Sequence, residues 1–186
     1  MILDKIENKI IKDVFQEVRQ NTLNRANLGV LKKDSNSKLI EALEKIPLID
    51  LMALNSTESY DHWYDVQVAQ FHNRVFPLYR ENLDVSKDNP YTYSARMTTQ
   101  YIKNYMIRSF QFNQDGVANL SIIHPIISNT FIDSFPELSI SKVKEITTKQ
   151  IYYDVVDYYR HLISCNSSYE SKTLIALVEL EDGTDV

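Results

Sequence analysis

The stretch YDHWYDVQVAQFHNRVF, Tyr60 to Phe76, decides the fold class, because two different patterns run through it at helical spacing. Tyr60, Tyr64, Val68, Phe71 and Val75 recur at steps of four and three, the signature of a helix with one buried stripe. An α-helix turns by roughly 100° per residue, so Glu58, His62, Asp65 and His72 fall within about 40° of another line, on a polar side. Trp63 belongs to neither line. Upstream, Asn55-Ser-Thr-Glu58 is a start signal with a capping residue and an acid three positions later, and Pro77 is a stop. The spacing therefore predicts an amphipathic helix over 56–76, and the polar side is either a site or a wetted face.

Three other segments carry the same periodicity. Leu3, Ile6, Ile10, Val14 and Val18 predict a helix over 3–23, and Leu39, Ile40, Leu43 and Ile46 a shorter one that Pro47 breaks. Asn89-Pro90 opens a helix over 90–110, and the run SKVKEITTKQIYYDVVDYYRHLISC predicts a long helix over 141–165 with Val155, Val156, Tyr159, Leu162 and Ile163 inward. Between 114 and 140 the pattern degrades into turn signals at Asp115-Gly116, His124-Pro125 and Phe135-Pro136, which predicts an irregular connection with a hairpin at Asp115-Gly116. After a linker at 167–172, Leu174, Ala176, Val178 and Leu180 alternate as one face of a strand that would pair with residues in 117–127. The expectation is a mainly α, single-domain bundle of four to five helices over 1–186. It divides into a helical half at 1–113, the irregular connection at 114–140, the long helix at 141–166, and a linker and tail at 167–186 with a small C-terminal β element.

Composition removes several classes of function. With 44% hydrophobic and 24% charged residues the chain has the balance of a folded globular domain, and 186 residues suffice for one core. Twenty basic against twenty-five acidic side chains leave a net charge of -5, so no global positive field attracts phosphate backbones. The glycines, Gly29, Gly116 and Gly183, are isolated, which excludes the clustered glycines of phosphate-cradling and dinucleotide-binding loops. MILDKIENKI is unlike a secretion signal, and no apolar run approaches the ~18 residues that span a bilayer. The expected setting is the cytoplasm or a virion, not the secretory route. A single cysteine, Cys165, rules out an internal disulfide and any multi-thiolate zinc site. His161, one turn before it, makes a Cys/His nucleophile conceivable, against the plainer reading of a small half-buried hydrophobe.

Two functional expectations follow from the polar stripes and the tyrosines. Gln150, Asp154, Asp157 and His161 form a second polar line, so helices facing each other across these lines could offer His62, Asp65, Asp157 and His161 to Zn, Mn or Fe. No histidine has a glutamate three residues before it, however, and no H-E-x-x-H occurs, so the known helix-bundle and helical zinc patterns are not met. Lys87, Arg96, Lys103 and Arg108 interleaved with Tyr91, Tyr93, Tyr101 and Tyr105 suggest a nucleic-acid stripe, but so few charges release too few counterions for firm binding.

The adjacent pairs Tyr152-Tyr153 and Tyr158-Tyr159 diverge by roughly 100° on one helix, so a single inner stripe cannot bury both members of either pair. Tyrosine is enriched in protein interfaces. The leading expectation is a non-enzymatic structural or assembly subunit, of the kind found in a phage virion or connector, that needs no cofactor and meets copies of itself or another protein through Tyr152, Tyr153, Tyr158 and Tyr159. Its abundant Asn, Ile and Tyr and scarce Gly suggest the phage setting. The competing expectation is a metal-dependent enzyme with a His/carboxylate site between the helices at 56–76 and 141–165.

Overall fold

The computed structural model describes residues 30–112 and 123–165, together with Gln16, Arg19 and Gln20. The chain is mainly α. Among the described residues there are five α-helices: α1 (Asn36–Glu44), α2 (Thr57–Val75), α3 (Tyr93–Phe112), the short α4 (Asn129–Asp133) and α5 (Lys149–Cys165). Turns of 3₁₀ helix at Leu48–Ala53, Phe76–Leu78 and Val143–Glu145 link them. The described residues contain no β-strand beyond an isolated antiparallel bridge between Leu31 and Tyr79. Most of the expected helix over 3–23, the hairpin at Asp115-Gly116 and the strand-like tail lie outside the described residues. Gln16, Arg19 and Gln20 are helical, and Arg19 reaches the Glu44 carboxylate at 2.8 Å.

The stripe of the opening stretch becomes the centre of the core. Tyr60, Tyr64, Val68, Phe71 and Val75 are all buried, and they pack with Leu39 and Leu43 of α1 and Ala95 and Ile102 of α3 in one continuous cluster. The cap of α2 falls one residue later than the sequence suggested. Ser56 accepts from the Ser59 backbone N–H at 3.1 Å, and Ser59 answers by accepting from the Ser56 N–H at 3.2 Å. Two serines thus close the reciprocal box expected of Asn55 and Glu58, because each short hydroxyl reaches the other residue's amide. At the entrance to α1, Asp34 takes the left-handed φ of 64°, a conformation that short polar side chains tolerate best after glycine.

Helix α3 is buried on every side between Ser94 and Asn104 except at the half-exposed Arg96. Its sequence is far too polar to announce that position: Ser94, Thr98, Thr99, Gln100, Lys103 and Asn104 are inside alongside Ala95, Met97, Tyr101 and Ile102. Burial of polar groups is tolerable where they find partners. Thr99 meets the Tyr64 hydroxyl at 2.7 Å, and the Lys103 ammonium lies over the Tyr159 ring at 5.8 Å. Of the interleaved basic and aromatic stripe, Lys103, Tyr91 and Tyr101 are therefore interior.

Two helix starts differ from the sequence reading. α3 begins at Tyr93, not Pro90, because Asn89 organises the preceding turn. Its side chain accepts from the Tyr91 N–H at 3.1 Å and donates to the Ile146 carbonyl at 2.9 Å. α5 begins at Lys149 instead of 141. Ser141 N–H is taken by the Glu145 carboxylate at 2.7 Å, and Thr148 Oγ1 receives the Ile151 N–H, so the periodic run is split by a 3₁₀ turn and a new cap. Within α5, Val155, Val156, Tyr159 and Ile163 face the core as expected, whereas Leu162 is half-exposed at its margin.

Candidate functional site

The groups with chemical potential meet where α2, α5 and residues 124–128 converge. Consecutive turns of α2 present Asp61, Tyr64 and Asp65, while α5 presents Tyr152, Tyr153 and Arg160. His124, 0% exposed, enters between them from the connection. Its ring makes edge contacts with Tyr60 at 5.1 Å, Tyr64 at 4.2 Å, Tyr152 at 5.5 Å and Tyr153 at 5.4 Å. Such edge-to-face contacts place positive ring edges against negative π faces.

Hydrogen bonds order this cluster into a chain. A carboxylate only accepts, so His124 Nε2 carries the proton that is donated to Asp61 Oδ1 at 2.8 Å. Arg160 grips the same carboxylate as a fork, Nη2 to Oδ1 at 2.6 Å and Nη1 to Oδ2 at 3.0 Å. On the other side of the imidazole, Nδ1 lies 3.1 Å from the Tyr152 hydroxyl, which is 2.9 Å from that of Tyr64. Tyr64 in turn donates to the Ala95 carbonyl at 3.0 Å and meets Thr99. One turn along α2, Asp65 Oδ1 accepts from Tyr91 and Tyr153, each at 2.8 Å, and the Lys149 ammonium pairs with Oδ2.

The protonation states follow from burial and partners. Burial raises the Asp61 carboxyl, but hydrogen bonds from His124 and Arg160 outweigh it and bring the group down to about 2. Burial dominates at His124 and lowers the imidazole to about 4, with the Asp61 carboxylate opposing only in part. His124 is thus neutral at pH 7, and Arg160 supplies the positive partner of Asp61. The phenols of Tyr60, Tyr64, Tyr152 and Tyr153 are all pushed up by burial and stay protonated.

Asp61, His124 and Tyr152 have the connectivity of an acid, a base and a hydroxyl in nucleophilic catalysis. Their surroundings give that connectivity a different consequence. The Tyr152 hydroxyl is aimed into the protein on a residue 2% exposed, and its proton is harder to remove than that of free tyrosine. What the chain of bonds does is tie two helices and a connection together. A similar pin operates at the far end of α2: buried His72 accepts from Ser94 Oγ at 2.8 Å and donates to the Lys87 carbonyl at 3.1 Å, while Tyr79 bonds Ser94 at 2.7 Å. Burial lowers the His72 imidazole, so this histidine also serves in its neutral form.

No protein-family model, curated protein or solved structure matches this chain.

The residues nominated from sequence are distributed differently from the buried network. His62 and His161 are exposed. Asp65 is held by its two phenols and Lys149, and Asp157 is largely exposed with Arg160 Nη1 at 3.7 Å. Among the described residues no group of three or more His, Cys, Asp or Glu is close enough to hold a metal ion. Cys165 is exposed, with its Sγ 3.4 Å from His161 Nε2 at the end of α5. Of the four tyrosines on α5, Tyr152 and Tyr159 enter the core, whereas Tyr153 and Tyr158 remain half-exposed. Tyr153 is committed to Asp65, and Tyr158 lies edge-on to Phe135 at 5.8 Å. Sequence reasoning missed Asp61, His124 and Arg160, which join positions 63 and 99 residues apart.

Proposed function

We propose that this chain is a non-enzymatic assembly subunit that meets another protein, a second copy of itself included, along the Tyr158 side of α5. The observation that carries this reading is a half-exposed apolar line on that helix. Ile151, Tyr158 and Leu162 are spaced by seven and four residues, so they share one side, and Tyr158 extends it onto Phe135 of the connection. A tyrosine at such a margin offers apolar area together with a hydroxyl, the combination that anchors protein interfaces. The buried Asp–His–Tyr chain supports the same reading, since its polar groups are engaged in holding the scaffold. No helix among the described residues is long and apolar enough to cross a membrane. The Asn-, Ile- and Tyr-rich, Gly-poor composition is what suggests a virion or connector as the setting.

Sedimentation of the purified chain, paired with native mass spectrometry and metal analysis, tests this directly. The expected result is a dimer or higher assembly, or a copurified protein partner, with metal well below one ion per chain. Tyr158→Ser should weaken that complex by roughly tenfold or more, within the ~1–2 kcal/mol a good interface tyrosine carries, while leaving the helical circular dichroism unchanged. A strict monomer at high concentration with no partner in pull-downs, or one stoichiometric metal ion per chain, would remove the proposal.

A further inference from the structure

His124 joins the connection to both helices through one ring, and the groups facing it come from each of them. α2 contributes Tyr60, Asp61, Tyr64 and Asp65, and α5 contributes Tyr152, Tyr153 and Arg160. Asp65 is already paired with Lys149, and Asp61 with Arg160. The Tyr152 hydroxyl donates to Tyr64, whose oxygen is 2.9 Å away, and its own oxygen lies 3.1 Å from Nδ1. A second proton on the ring makes Nδ1 a donor to that oxygen, so hydrogen bonding does not forbid protonation. Charge is the obstacle, because the new cation would sit on a fully buried ring and share the Asp61 carboxylate with the Arg160 guanidinium.

Leu39, Leu43, Val68, Phe71, Val75 and Ile102, which pack α1, α2 and α3 together, belong to the same continuous core as Val155, Val156 and Tyr159 of α5, but they are not among the residues whose rings or polar groups meet His124. We infer that His124 is an acid-sensitive clasp: protonation of its imidazole undocks the segment 123–140 and α5 from α2 while α1, α2 and α3 stay packed together.

The sign and window follow from linkage. The docked imidazole sits near 4 and a solvated one near 6.5, so the undocked form takes up its proton first as the pH falls. Docking is at full strength above about 6.5, weakens progressively down to about 4, and changes no further from this group below that. The full swing is roughly two orders of magnitude in the docking equilibrium. Asp61, whose carboxyl is lowered from 3.8 to about 2, adds a separate loss only at more acid pH.

Hydrogen–deuterium exchange of the full chain between pH 7.5 and 4, corrected for intrinsic rates, reads this segment by segment. The expected result is a fall in protection of at least tenfold over 123–133 and 149–165, with 57–75 and 93–104 retaining theirs. His124→Gln keeps an N–H donor but cannot take the proton, and should flatten that dependence while leaving helicity at pH 7.5 intact. Simultaneous loss of protection in all segments, or an unchanged pH dependence in His124→Gln, overturns the inference. If that variant does not fold, imidazole titration of the wild-type chain by NMR decides. A His124 pKa below 6.5 that tracks the loss of α5 protection supports the clasp, and an ordinary value near 6.5 with α5 protection constant refutes it.

Discussion

Phe71→Asp is expected to unfold the chain at 25 °C or leave it barely folded, a loss of more than about 4 kcal/mol. Phe71 is fully buried midway along the stripe that α2 turns toward α1 and α3. Removing a buried phenyl ring costs about 3–5 kcal/mol through lost transfer energy and cavity formation, and a carboxylate in its place must be desolvated or protonated besides. Since small domains hold only about 5–15 kcal/mol in total, this single change consumes much of the margin. Urea titration followed by the fluorescence of Trp63, the only tryptophan and one half-buried on α2, reads the loss directly. His62→Ala on the exposed side of the same helix is the matched control and should move the midpoint by less than about 0.5 kcal/mol. Comparable losses for the two variants would mean that the inward and outward sides of α2 have been misassigned.

That contrast also shows how far the sequence speaks. The line Tyr60, Tyr64, Val68, Phe71 and Val75 is legible because helical periodicity is a local property, and all five residues are buried. The polar line beside it is legible only in part. Glu58 and His62 are on the wet side, but His72 is covered, because the loop after Tyr79 comes back to bond it through Lys87. Nothing within one helical repeat of His72 announces that loop.

The same limit governs α3. Polarity is read as exposure on the assumption that each helix has a wet side, and α3 has none through most of its first three turns. Thr99 and Lys103 thus become interior groups whose partners, Tyr64 and Tyr159, belong to other helices. For the buried network the obstacle is sequence distance. Asp61 is one residue away from the core stripe, so its type and spacing suggest a surface acid. His124 appears in a dipeptide with Pro125 whose only local meaning is an extended backbone. The two meet across 63 positions, and no motif spans that interval. A weak signal did exist in Arg160, a cation directly beside the core tyrosine Tyr159 on a helix whose acids, Asp154 and Asp157, are exposed, which asks for an acidic partner near the core.

Asp61→Asn is expected to cost on the order of 2–3 kcal/mol at pH 7, and the reason is what it leaves behind. Asparagine keeps the shape and can still accept from His124 Nε2, so the imidazole retains a partner while the carboxylate charge is lost. Arg160, whose side chain is only 15% exposed, then loses its nearest carboxylate and keeps the longer contact with the exposed Asp157 at 3.7 Å. Breaking a buried pair from one side typically costs about 3–5 kcal/mol, and the 24% exposure of Asp61 lets water recover some of that. Asp61→Asn combined with Arg160→Met removes the stranded charge as well, and should recover at least about half of the single-variant loss. The difference between wild type and Asp61→Asn should be constant above about pH 4 and shrink as the pH falls from 3.8 toward 2, because the folded-state carboxyl is the lowered one and its stabilisation disappears as it protonates. Equilibrium unfolding of the four chains completes the cycle. A double variant as unstable as the sum of the two singles would show that the pair is not coupled, and that α5 is held to α2 by its buried tyrosines alone.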